Sequence, residues 1–258
     1  MNRIDKLFVA KKNKVLNMYY TAGYPQLNST VPVIVSLQDN GADIIEIGIP
    51  YSDPLADGEV IQQSSAIALQ NGMSIPLLFE QLKNIRRLIN IPVILMGYLN
   101  PVLQFGFENF CAAAASAGVD GFILPDLPMY EYETQYATVM KKYGLHLIFL
   151  VTPDTADERV KKIDELSGGF LYAVSSSSTT GKQIAVHDGL VAYLERLNRL
   201  QLKNPILVGF GINDQKSFEL VCNHANGAII GSAYIKALAE ANDIETGTAA
   251  FMQKILGT

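Results

Sequence analysis

Cysteine is nearly absent from this chain of 258 residues, occurring only as Cys111 and Cys222. Both sit in helix-period stretches, where a lone cysteine acts as a small buried apolar residue. Neither belongs to a CxxC pair or a Cys/His cluster, so no metal site is expected. Charge is sparse as well: 17% of residues are charged and the net charge is −5. Basic residues are scattered, the pairs Lys11-Lys12, Arg86-Arg87, Lys141-Lys142 and Lys161-Lys162 reading as solvated helix ends, so there is no footprint for nucleic acid. No stretch approaches the roughly 18 apolar residues of a membrane span. The opening MNRIDKLFVAKKNK lacks the apolar run and cleavage site of a signal peptide, so a cytoplasmic location is expected. Linkers, low-complexity tracts and composition shifts are missing too, and residues 1–258 read as one domain.

What the chain has is alternation. Short apolar runs at Val15–Tyr20, Ile44–Ile49, Val93–Met96, Gly121–Leu124, His146–Val151, Phe170–Val174, Ile206–Gly209 and Ala228–Ile230 predict eight strands. Helix-period stretches lie between them, at Thr30–Gln38, Leu77–Ile89, Phe107–Ser116, Glu131–Tyr143, Glu158–Leu166, Leu190–Leu200 and Gln215–Cys222. Strict β/α alternation implies a parallel sheet. Eight strands in a chain of this length fit an α/β fold of the closed (β/α)8 TIM-barrel type. Glycine follows helices at 39–42 (DNGA) and 117–118 (AG), where a helix end takes a left-handed residue.

In such a barrel, function sits at the strand C-terminal ends. The segment 43–60, DIIEIGIPYSDPLADGEV, is the most telling one. Its strand puts Ile44, Glu46 and Gly48 on one face and Ile45, Ile47 and Ile49 on the other. Glu46 then points to the barrel interior, where an ionised carboxylate is costly. Asp57 follows after Pro50 and Pro54, which stiffen the loop. Glycines at the ends of the last two strands, in LVGFGIND and AIIGSAYIK, precede helices and suggest a phosphate cradle of backbone N–H groups without a basic residue. The loop after the sixth strand ends Thr179-Thr180-Gly181. Two carboxylates beside a phosphate site imply proton transfer on a phosphorylated organic substrate. On the residues alone, a sugar-phosphate isomerase type of barrel and a non-catalytic activator subunit remain open.

The segments GADIIEIGIPYSDPLADG, NPVLQFG, GFILPDLP, the loop ending TTGK, GFGI and GSAYIK resemble the tryptophan synthase alpha subunit family in order over nearly the whole chain. That resemblance implies a lyase of tryptophan biosynthesis, which reversibly cleaves indole-3-glycerol phosphate to indole and glyceraldehyde 3-phosphate by a retro-aldol reaction. It implies that Glu46 and Asp57 are catalytic. Tyr172 would lie close to the substrate, Thr180 would meet the catalytic Asp when its loop closes, and Gly181, Gly211, Gly231 and Ser232 would bind phosphate. Leu95, Leu124 and Phe210 are candidates for the apolar walls around indole. The resemblance further implies no cofactor in this chain, and a tryptophan synthase beta subunit carrying pyridoxal phosphate as partner in an alpha2beta2 heterotetramer. Asp53, Asn100-Pro101 and the loop around Pro128 would face that partner. Ser176, Ser178 and Glu59 depart from the family pattern of Arg, Gly and Pro.

Overall fold

The computed structural model describes residues 1–174, 183–209 and 211–257, the side chains of 183–188 excepted. Nine strands form one sheet: β1 (Val15–Thr21), β2 (Ile44–Gly48), β3 (Val93–Met96), β4 (Gly121–Ile123), β5 (His146–Leu147), β6 (Leu150–Val151), β7 (Leu171–Val174), β8 (Ile206–Gly209) and β9 (Gly227–Ile230). Their order is β5-β4-β3-β2-β1-β9-β8-β7-β6, with every pair parallel. The two ends, β5 and β6, are halves of one run separated only by Ile148 and Phe149. Ile148 N–H donates to Phe122 C=O at 2.9 Å, while Phe149 C=O accepts from Tyr172 N–H at 3.0 Å. The run therefore bonds to β4 on one side and β7 on the other, and the sheet closes. The sequence predicts eight strands; the fifth divides where the backbone passes its hydrogen bonds from one neighbour to the next.

Burial follows the two-residue period of a strand. Val15, Ile44, Ile94, Ile123, Ile148, Phe170, Leu207 and Ile229 pack together inside the barrel. Leu16, Met18, Ile45, Ile47, Leu95, Phe122, Leu171, Val208 and Ile230 belong to the larger layer beneath the helices. Both faces of the strands are thus covered, which is why they read as nearly continuous apolar runs.

The helices differ from the sequence reading in instructive ways. Leu77–Ile89 resolves into a helix Ile75–Leu82 and a short 3-10 turn Ile85–Arg87. Ser74 caps the former, and Pro76 stands in its first turn, where a missing N–H costs nothing. Glu131–Tyr143 contains a π turn at Tyr132–Tyr136. Helices Glu59–Gln70, Leu99–Phe105, Ser232–Glu240 and Ile244–Leu256 are additional. Gly41 and Gly118 carry φ of 95° and 83° just beyond helices Thr30–Asp39 and Phe107–Ala117, as their placement predicts.

One helix that the periodicity search passes over, Arg3–Ala10, sits at the strand N-terminal ends. Asn2 caps it, and Ile4, fully buried, joins the interior cluster with Leu7 and Phe8. Asp120 lies beside it, 3% exposed. It accepts from Arg3 Nη1 at 3.0 Å, Arg86 Nη2 at 2.6 Å and Val93 N–H at 2.9 Å. Removing one side of such a pair leaves the partner charge uncompensated. Asp120→Ala is therefore expected to cost about 3 kcal/mol. In thermal denaturation that is a fall in Tm of about 6–12 °C. A fall of no more than about 2 °C would show that the arginines find other partners.

Candidate active site

Glu46 stands in the third position of β2, between Tyr19 on β1 and Ile94 on β3 in register. Its face of β2 is the interior one, as the alternation predicts. The residue is fully buried. One carboxyl oxygen, Oε2, accepts from Asn17 Nδ2 at 2.5 Å, and Oε1 has no partner among the described residues. Burial pushes the carboxyl up to about 8, opposed by the hydrogen bond from Asn17. The cause is desolvation, which penalises the charged form.

Glu46 lies in the floor of a cavity of about 860 Å³ whose wall includes Tyr19, Met96, Tyr172, Gly209, Gly211, Ile229, Gly231 and Ser232. Tyr19 and Tyr172 are each raised above the usual phenol range, first by burial and then by the charges of both Glu46 and Asp57. The two acids therefore act on one pair of tyrosine hydroxyls. Two glycines make that pair possible. A methyl group on Gly48 would collide with the Tyr19 hydroxyl, and one on Gly209 with that of Tyr172.

Asp57 is half-buried on the loop leading into helix Glu59–Gln70. It is not itself part of the cavity wall, though Ile61 of that helix is. Tyr98 holds this loop: its hydroxyl accepts from Ala56 N–H at 3.0 Å and stands near enough to Asp57 to favour its ionised form. Burial raises the Asp57 carboxyl and the Tyr98 contact lowers it, burial being the larger effect.

Beside the Tyr19 ring, Gly231 precedes helix Ser232–Glu240 with no side chain capping its first turn. The free N–H groups of that turn and the helix dipole make an anion seat. Gly211 has open space where a side chain would stand. The sequence reading has no basic residue here; the structure puts Lys236, one turn into the helix, on the same wall.

The apolar candidates divide. Leu95 and Leu124 belong to the layer between sheet and helices, and neither lines the cavity. The reason for Leu95 is parity: its neighbours in register, Ile47 and Phe122, also point outward. Met96 and Ile229 take the inward positions instead. Phe210, Thr180 and Gly181 lie outside the described residues, as do Ser176 and Ser178. Asp126 accepts from Leu99 N–H at 2.9 and 3.0 Å and so fixes the start of helix Leu99–Phe105. Asn100 donates to the Tyr51 hydroxyl at 3.1 Å. Asn17, Tyr19, Tyr98, Met96 and Lys236 are site residues that the motif search missed. For Asn17 and Tyr19 a signal existed: both share the inward parity of β1.

Among the described residues no group of three or more His, Cys, Asp or Glu could hold a metal ion, and no helix is long and apolar enough to cross a membrane. Fold and site together define a (β/α)8-barrel enzyme, with a buried acid and a helix N-terminus without a side-chain cap at one cavity. The family described as tryptophan synthase alpha chain matches residues 6–256. The tryptophan synthase alpha chain of Flavobacterium johnsoniae is 52% identical over 240 residues, 93% of this chain and 94% of that one. That of Bacteroides thetaiotaomicron is 49% identical over 245 residues, 95% and 96% of the two chains. A crystal structure of tryptophan synthase subunit alpha from Legionella pneumophila superposes with a TM-score of 0.90 at 36% identity, covering 100% of this chain and 98% of that one. The chain belongs to the tryptophan synthase alpha chain family.

The burial of Glu46 has a thermodynamic consequence. Its folded-state pKa is about 8 against an ordinary value of 4.5. Between those values the folded state holds a proton that the unfolded state has released, so stability falls as pH rises through the window. Glu46→Gln removes that loss. Its Tm is expected to match the parent's at pH 4 and to exceed it by about 8–16 °C at pH 8. Equal differences at both pH values would mean that the Glu46 carboxyl titrates normally.

Proposed function

We propose that Glu46 and Asp57 carry the reversible retro-aldol cleavage of indole-3-glycerol phosphate in this chain, with residues 1–258 as one domain. Its product aldehyde is glyceraldehyde 3-phosphate, and its other product is indole. The chain is a carbon–carbon lyase of tryptophan biosynthesis, the alpha subunit of tryptophan synthase, and it works with the beta subunit, which carries the pyridoxal phosphate, in an alpha2beta2 assembly. We place that assembly in the cytoplasm.

The observation that carries the reading is the state of Glu46: a fully buried carboxyl with one bound and one unpaired oxygen, neutral at pH 7, beside a cavity with an anion seat. A neutral carboxyl is a proton donor. Glu46 gives its proton to C3 of the indole ring, which leaves positive charge on the ring and its nitrogen. The Asp57 carboxylate accepts a hydrogen bond from the ring N–H and stabilises that charge. Glu46, now a carboxylate, takes the proton of the adjacent glycerol hydroxyl as the C3–carbon bond breaks. The electron pair returns to the ring, the hydroxyl carbon becomes the aldehyde, and Glu46 is again protonated. Gly211, Gly231 and Ser232, with Gly181, hold the phosphate; Tyr172 and Thr180 complete the substrate site. Met96 and Ile229 take the apolar role that the sequence reading gives to Leu95 and Leu124.

The assay is direct: indole and glyceraldehyde 3-phosphate are mixed with the protein and condensation is followed. Glu46→Gln is expected to lower kcat by about 10²-fold or more with indole binding retained. Asp57→Asn is expected to lower it by about 10²–10³-fold. Because the starting acid is protonated Glu46, kcat/KM for cleavage should decline as pH rises through about 8. Unchanged turnover in both variants would sink the assignment.

A further inference from the structure

We propose that Asn17 is a positioning residue for Glu46, its side-chain amide holding one carboxyl oxygen so that the other is kept for the reacting atoms. The inference rests on the reading of Glu46 as the acid.

Asn17 is fully buried in the middle of β1, on the inward face. Its register partners are Ile44 and Ile229, and Val15 lies two residues before it on the same face. An apolar side chain would satisfy that packing at no polar cost. Among the described residues the amide instead makes one hydrogen bond, Nδ2 to Glu46 Oε2, and its Oδ1 has no partner. The contact with the Glu46 carboxyl is thus what offsets the cost of burying the amide. Here all that the amide does is done to Glu46.

Two effects follow from that contact. It locks the carboxyl orientation, which matters because proton transfer to carbon tolerates little misalignment. It also favours the ionised form and so opposes the effect of burial on Glu46. Among the described residues the other titratable groups around Glu46 are Tyr19 on β1, Asp57 on the loop after β2 and Tyr172 on β7, all acids. Lys236 also lines the cavity. Asn17 thus keeps a desolvated carboxyl able to give its proton up and take it back near neutral pH.

The test is Asn17→Leu, nearly isosteric, with Asn17→Val as a second strand-compatible form should the first not fold. Glutamate is labelled with 13C at the carboxyl and titrated by NMR, the Glu46 signal being identified by its loss in Glu46→Gln. Expected in the variant is a Glu46 titration at higher pH, by about one unit, and a descending limb of kcat/KM displaced upward with it. At pH 7 kcat should drop about tenfold while KM stays unchanged. A merely structural role would lower activity without moving the limb. An inactive Glu46→Gln together with an unmoved titration in the Asn17 variant overturns this inference alone. Full turnover in Glu46→Gln overturns both it and the reading of Glu46 as the acid.

Discussion

The rest of this molecule is arranged around a carboxyl group taken out of water. Moving an ionisable side chain into a barrel interior is unfavourable unless the group is paired or neutral. Among the described residues no cation faces Glu46, and it takes the second course. That solution requires a closed sheet covered outside by helices and capped below by Arg3–Ala10, so that water does not restore the ordinary carboxylate. The cavity opens on the other side, at the strand C-terminal ends, where Gly209, Gly211, Gly231 and Ser232 stand. Closure of the barrel and availability of the proton are therefore one requirement seen from two ends.

The two tyrosines express the same requirement sterically. Tyr19 and Tyr172 reach over Gly48 and Gly209, and no larger residue fits beneath either hydroxyl. A side chain at those glycines would push a ring into the cavity or toward Glu46. Gly48 therefore belongs to the site through absence of bulk, as much as Glu46 does through its charge.

Much of this was legible in the sequence because a strand has period two. The alternation in β2 alone aims Glu46 inward. The same rule, carried across the register Gly48↔Met96, selects Met96 over Leu95. Choosing Leu95 by chemical type, without its parity, is what went astray. Asn17 and Tyr19 were hidden for a different reason: a polar residue in a strongly apolar run reads as noise until its partner strand is known. The N-terminal helix shows Ile4, Leu7 and Phe8 at helical spacing, but eight residues are too few for periodicity to stand out. The division of β5 from β6 depends on barrel closure, a long-range property with no local signal.

Comparison of the buried acids separates structure from chemistry. Among the described residues three carboxylates are buried: Glu46, Asp120 and Asp164. Asp164 accepts from Lys203 N–H at 2.7 Å and from Asn204 N–H and Nδ2 at 3.0 and 2.8 Å. Asp120 has two arginines and a backbone donor. Both oxygens of each are occupied, as expected of groups that tie elements together. Glu46 alone retains an empty oxygen. A fold able to satisfy two buried carboxylates fully has no stability reason to leave the third half-bound, and that residual valence faces the use a proton donor needs.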